Sequence, residues 1–250
     1  MAWDRDERLQ RAASFGGVAG AYERARPGYP DEAAKWLAGA DPTDVVDLGA
    51  GTGKLTRALV ALGHRVTAVE PLPEMLDELR MAVPDAVALP GSAESIPLPD
   101  GAADVVTCAQ AFHWFDHGPA LVEIARVLRS GGRLALVWNT RDDSQWWVAE
   151  LTETVIGRSE FRAGGVSSVV STIGESRLYG PVERASFEHV QLLGRADLVE
   201  LVRSRSQCAV LSEDERRPVL ERVGALFDAH ATDGRLAMPY VAECFRAARL

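Results

Sequence analysis

Asp47-Leu48-Gly49-Ala50-Gly51-Thr52-Gly53 joins a short β-branched run, Val45-Val46, to a stretch in which Leu55, Ala58, Leu59 and Leu62 recur at helical spacing. A strand that stops in glycines and reopens as a helix is the turn on which open α/β sheets bind ligands. Glycine lets such a turn close sharply and lets backbone approach a ligand with no Cβ between them. The spacing discriminates between ligands. A dinucleotide fingerprint, G-x-G-x-x-G, needs a glycine at position 54, which is Lys54. The phosphate loop that ends in Gly-Lys-Ser/Thr fails as well, because Leu55 follows Lys54. What remains is D-x-G-x-G-x-G. An acid ahead of the first glycine repels a pyrophosphate and attracts the ammonium of an aminoacyl group.

Outward from this loop, apolar runs alternate with helical patterns. Strands are expected over residues 45–48, 65–70, 86–89, 104–109 and 133–138, with helices over 52–62, 73–82 and 119–129. Five βα units in this order require right-handed crossovers and a twisted parallel sheet. The second half is less regular. A helix is expected over 148–156, a Gly/Ser-rich loop insertion over 162–180, strands over 185–192 and 238–246, and helices over 197–205 and 212–229. Ser212 followed by Glu215 marks a capping box. The expected architecture is α/β, a single seven-stranded mixed sheet flanked by helices over residues 1–250. Residues 1–43 would form an N-terminal helical segment, 44–139 a ligand-binding half, 140–183 a variable cap, and 184–250 the late strands and helices.

The chain has 250 residues, 47% of them hydrophobic and 25% charged, with a formal net charge of −9. That is enough chain to bury a full core. The acidic balance disfavours nucleic acid and anionic membranes as partners. Cys108, Cys208 and Cys244 are far apart, show no metal-ligand spacing and imply no disulfide framework, so no metal is expected. The first ten residues carry five charges and no apolar core of a signal peptide. A cytoplasmic protein is expected. Its oligomeric state is not legible.

Glu70 ends the second strand, where a carboxylate can accept hydrogen bonds from both hydroxyls of a ribose. The loop, Glu70, the segment Gly91-Ser92-Ala93-Glu94-Ser95-Ile96-Pro97-Leu98-Pro99-Asp100 and the run Gln110-Ala111-Phe112-His113-Trp114-Phe115 together resemble class I S-adenosylmethionine methyltransferases. Residues 14–30 and the Phe-His-Trp-Phe run are similar to the branch that includes trans-aconitate methyltransferase-like enzymes. The resemblance is specific over about residues 15–139. It implies a Rossmann-like sheet whose last strand is antiparallel, and S-adenosyl-L-methionine as cofactor. It further implies that Asp47, Gly49, Gly51 and Gly53 frame the methionine moiety, Asp47 facing its ammonium. Glu70 would hold the ribose, Leu72 would pack near the adenine, and Ser92 and Ala93 would meet its edge. Gln110 would sit beside the transferring methyl. Ser92 departs from the family's usual acid, which leaves only the Ala93 backbone amide for that contact. Tyr22 belongs to the segment that closes over the cofactor in this family.

Methyl transfer from a sulfonium is an in-line displacement, so the protein mainly aligns the reacting atoms and excludes water. Aromatic walls suit that task, and Trp114 follows the fourth strand while Trp138 ends the fifth. Four side chains are candidates for the acceptor's chemistry: His113, Trp114, Arg26 and Arg141. The expected acceptor is a small molecule, with a carboxylate oxygen as the accepting atom. A carboxylate is already deprotonated at neutral pH, and a guanidinium can hold one in bidentate fashion. The alternatives are O- or N-methylation with His113 as base, a non-catalytic S-adenosylmethionine-binding protein, and an NAD-dependent oxidoreductase. The last lacks its glycine fingerprint here.

Overall fold

The computed structural model describes residues 26–152, 160–203, 208 and 211–250. Its centre is one seven-stranded sheet in the order β3-β2-β1-β4-β5-β7-β6. The strands are β1 (Asp44–Leu48), β2 (Arg65–Glu70), β3 (Val87–Pro90), β4 (Ala103–Ala109), β5 (Leu128–Arg141), β6 (Glu183–Leu193) and β7 (Leu236–Ala248). The first five pair in parallel, and β7 runs antiparallel to both β5 and β6. The expected seven-stranded mixed sheet with an antiparallel last strand is the sheet observed.

Strands buried on both faces read as continuous apolar runs. Val45 and Val46 show why: the first packs with α1 (Asp31–Ala38) and α2 (Lys54–Ala61), the second into the core on the other face. The α1–α2 side joins Ala33, Leu37, Leu55 and Leu59 to Val105, Val137 and Ala242. The opposite side holds Leu48, Val106, Leu136 and Trp138 against α4 (His117–Val127) through Leu121 and Ile124. Between β2 and β3 lies α3 (Pro73–Ala82), opened by a proline whose fixed φ suits a first helical turn. Arg129 bridges the starts of β1 and β4, reaching Asp44 at 3.0 Å and Asp104 at 2.7 Å.

The second half packs its own apolar cluster. There α5 (Trp146–Glu150), α7 (Arg195–Arg203) and α8 (Glu213–His230) bury Trp147, Leu198, Val223 and Phe227 around Met238 and Tyr240 of β7. Glu215 accepts from the Ser212 amide at 3.0 Å and from its hydroxyl at 2.7 Å, which seats the start of α8. The loop expected over 162–180 is corrected: Glu160–Glu175 is a helix, α6. Its glycines and serines weaken the helical signal, but Val169 and Ile173, one turn apart, bury against the core that holds Leu121. Tertiary burial of that short stripe outweighs propensity. The helix expected over 148–156 begins earlier, at Trp146, and its residues 153–156 lie outside the described ones. The fifth strand is longer than its apolar centre, because Leu128 already pairs with Ala103. No helix among the described residues is long and apolar enough to cross a membrane.

Candidate functional site

The loop after β1 is held by backbone. The Gly49 and Ala50 amides donate to Val69 O at 2.9 and 3.3 Å. Gly49 has φ +62, and a Cβ there would stand 2.6 Å from Ala111 Cβ. Gly51 has φ +56 with nothing within 4 Å of where its Cβ would be. One glycine is required by a neighbour, the other leaves space open. Gly53 opens α2 in the left-handed region, and its missing side chain lets Leu79 of α3 and Val83, just after it, approach.

Glu70 ties this loop to the next. Its Oε2 accepts from the Gly51 amide at 2.9 Å, and its Oε1 from the Leu72 amide at 3.0 Å. Burial raises its pKa, and the two amides work against that rise. Each oxygen retains a further lone pair for a ligand. Asp47 stands differently from the expectation. It is 1% exposed, below the loop, where its Oδ2 accepts from Thr56 Oγ1 at 2.7 Å and its Oδ1 from Thr107 Oγ1 at 2.9 Å. Burial pushes its pKa up to about 6, against the pull of the two hydroxyls. Asp47 thus fastens β1 to α2 and β4, and it is not among the residues that line the crevice.

The crevice runs along the ends of four adjacent strands. Gly49, Ala50, Gly51 and Thr52 line it after β1, Ala109 and Gln110 at the end of β4, Asn139 on β5, and Tyr240 on β7. Arg26, Pro27 and Tyr29 line it from the chain ahead of α1. Gln110 has φ +57, a left-handed conformation that costs a non-glycine residue free energy and often marks a functional site. Its Nε2 donates to Asn139 O at 3.0 Å, and the Asn139 Nδ2 donates to Gly28 O at 2.9 Å. His189 of β6 lies 3.0 Å from Asn139 Oδ1; that oxygen can only accept, so the imidazole proton sits on Nε2. The His189 ring also stacks on Tyr240, centroids 5.5 Å apart.

The other expected site residues divide. Leu72 is half-buried at the N-terminus of α3, near Glu70. Ser92 is half-buried and pairs with Ser95 in an isolated bridge, while Ala93 is buried in the core. Phe112 and Phe115 are core residues. His113 and Trp114 stand together, rings 4.7 Å apart, in a short 3-10 turn outside the crevice lining. His113 is exposed, and desolvation together with nearby His117 lowers its pKa. Arg141 is also outside the lining, 7% exposed, its Nε donating to Thr152 Oγ1 at 3.1 Å. Of the two arginines, the structure brings Arg26 to the crevice and turns Arg141 to α5's end. Tyr22 lies outside the described residues. Sequence reasoning missed Tyr240. Its only signal is alternation with Met238 and Ala242 on the buried face of β7, which does not say that β7 lies beside β5. No cluster of three or more potential metal ligands occurs among the described residues.

Comparisons with known proteins agree with this geometry. A family model described as a methyltransferase domain matches residues 46–136, the stretch from the glycine-loop strand to β5. The chain is 48% identical over 243 residues to an uncharacterized methyltransferase of Mycobacterium tuberculosis, covering 96% of this chain and 97% of that protein. It is 38% identical over 204 residues to an uncharacterized methyltransferase-like protein of Schizosaccharomyces pombe, covering 79% of each. The fold is similar to that of a Haemonchus contortus phosphoethanolamine N-methyltransferase, with a TM-score of 0.57 at 15% identity, covering 99% of this chain and 60% of that one. A loop with the D-x-G-x-G-x-G spacing, a carboxylate closing β2, an antiparallel seventh strand and near full-length relatives agree: the chain belongs to the class I S-adenosylmethionine-dependent methyltransferases.

Proposed function

We propose that this enzyme methylates a carboxylate oxygen of a small molecule, as some members of the trans-aconitate methyltransferase-like branch do. The observation that carries the reading is the division of the candidate side chains: Arg26 lines the crevice, and His113 stands outside it. A crevice with a cation and without that base suits an acceptor that is already an anion.

The residues fit the cofactor. Gly51 leaves open space where a side chain would otherwise project, and Glu70 keeps acceptor capacity at the end of β2 for ribose hydroxyls. In this reading Gly49, Gly51 and Gln110 would frame the methionine moiety, and Leu72, Ser92 and Ala93 would hold the adenine. Asp47 positions the loop through Thr56 and Thr107 and contributes negative potential from below it. Held there, S-adenosylmethionine would supply the methyl to the acceptor oxygen, its sulfur keeping the electron pair of the S–CH3 bond that the new O–CH3 bond replaces. No proton moves, so the protein has no acid–base work to do. Arg26 holds the acceptor carboxylate, and the chain from Arg26 to Tyr29 limits water over the crevice.

The test uses methyl-labelled S-adenosylmethionine and the low-molecular-mass fraction of a bacterial extract, followed by mild alkali. An ester releases its label as methanol. Label that stays on the product removes the carboxylate reading, and label recovered only on macromolecules removes the small-molecule one.

A further inference from the structure

The Tyr240 hydroxyl is buried and meets no hydrogen-bond partner among the described residues. The residue is 3% exposed and lines the crevice. A buried donor left unpaired costs free energy that phenylalanine, of the same shape, would avoid. The neighbouring groups do not relieve it, because each is already directed elsewhere. His189, stacked on the ring, is committed to Asn139; Asn139 is committed to His189 and Gly28; Arg141, the cross-strand partner of Tyr240, is directed to Thr152. This framework fixes the tyrosine ring and leaves its hydroxyl available.

Its place in the strand order says for what. The glycine loop and Glu70 belong to β1 and β2, and Tyr240 lies on β7, with β4 and β5 between. A cofactor held at β1 and β2 presents its far end toward β4, so the β5–β7 end of the crevice falls to the acceptor. Arg26 lines the same crevice, and a phenol and a guanidinium in one crevice can offer a carboxylate two donors. We propose that Tyr240 is a specificity-determining residue of the acceptor subsite, its hydroxyl donating to a carboxylate oxygen of the small acid. The inference rests on the carboxylate reading above.

The test compares the wild-type protein with Tyr240→Phe, titrating the low-molecular-mass extract fraction at saturating labelled S-adenosylmethionine and scoring alkali-released methanol. The expected result is a rise of about tenfold or more in the fraction needed for half-maximal rate, with the loss falling in KM rather than kcat. S-adenosylhomocysteine affinity should stay within about twofold, and the melting temperature should be equal or higher, since an unpaired hydroxyl is gone. Half-saturation unchanged in Tyr240→Phe, with methanol still released, overturns the Tyr240 assignment alone. Wild-type label that resists alkali overturns the carboxylate reading and the subsite together.

Discussion

The Gly51 amide donates to Glu70 Oε2 at 2.9 Å, so the loop after β1 and the end of β2 are one rigid piece. The residue that gives the loop its space and the residue that offers a ligand its carboxylate are set by the same bond.

Removing that carboxylate should therefore be felt twice, once at the ligand and once at the loop. Glu70→Ala is expected to weaken S-adenosylhomocysteine by about 1.5–3 kcal/mol, the range for hydrogen bonds to charged groups. Gly51→Val should abolish binding: a branched residue is strained at φ +56, and its side chain would stand in the open space of the crevice. Calorimetry finding wild-type affinity in both variants would falsify the assignment of this loop to the cofactor.

Gly49 meets a different constraint, and a double-mutant cycle separates its parts. Gly49→Ala should cost about 2–4 kcal/mol, from a left-handed alanine and a methyl 2.6 Å from Ala111 Cβ. Ala111→Gly removes the clash and leaves the strain. The pair should recover about half of the loss, measured by urea denaturation. Strictly additive effects would mean that the Gly49–Ala111 contact carries no energy.

Asp47 gives a pH signature. Its folded pKa of about 6 lies above the usual 3.8 because burial penalises the charged form. The native state therefore binds this proton more tightly than the unfolded chain does. Stability from this group is fully present below about pH 4 and is lost as pH rises through about 6. The loss should be about 2–3 kcal/mol, at 1.36 kcal/mol per unit. Asp47→Asn should remove that decline, so the two proteins should diverge between pH 4 and 7 in denaturant melts. Parallel profiles would show that the Asp47 carboxylate costs nothing to ionise where it sits.

The same residue shows how far a sequence can be read. D-x-G-x-G-x-G located the loop, its strand and its helix, because glycine spacing is a local constraint on backbone. It did not reveal which way Asp47 faces, since Thr56 and Thr107 reach it from α2 and β4 and only the fold brings them near. Arg26 and Arg141 looked alike in sequence and part company for the same reason: one lines the crevice, the other is drawn to Thr152. The Glu160–Glu175 helix was masked by its own composition, because glycines and serines interrupt the apolar stripe to which Val169 and Ile173 belong. Tyr240 was invisible because it becomes a crevice residue only through the placement of β7 beside β5.

The last prediction concerns acid–base chemistry. A base with an ordinary imidazole pKa would give kcat/KM a rise through about pH 6.5. Desolvation and nearby His117 lower the pKa of His113 from its ordinary value, so it is neutral across the working range and a weaker acceptor of protons. A carboxylate acceptor is likewise fully ionised above about pH 6. With no group changing charge for the chemistry, the pH–rate profile at saturating S-adenosylmethionine should be flat from about pH 6.5 to 8.5, and His113→Ala should stay within about twofold of wild type throughout. Arg26→Ala should instead lower kcat/KM by about tenfold or more at every pH, because it removes a charge-assisted contact rather than a titrating one. A profile that rises through pH 6.5 and collapses in His113→Ala would return the reaction to base-assisted O- or N-methylation.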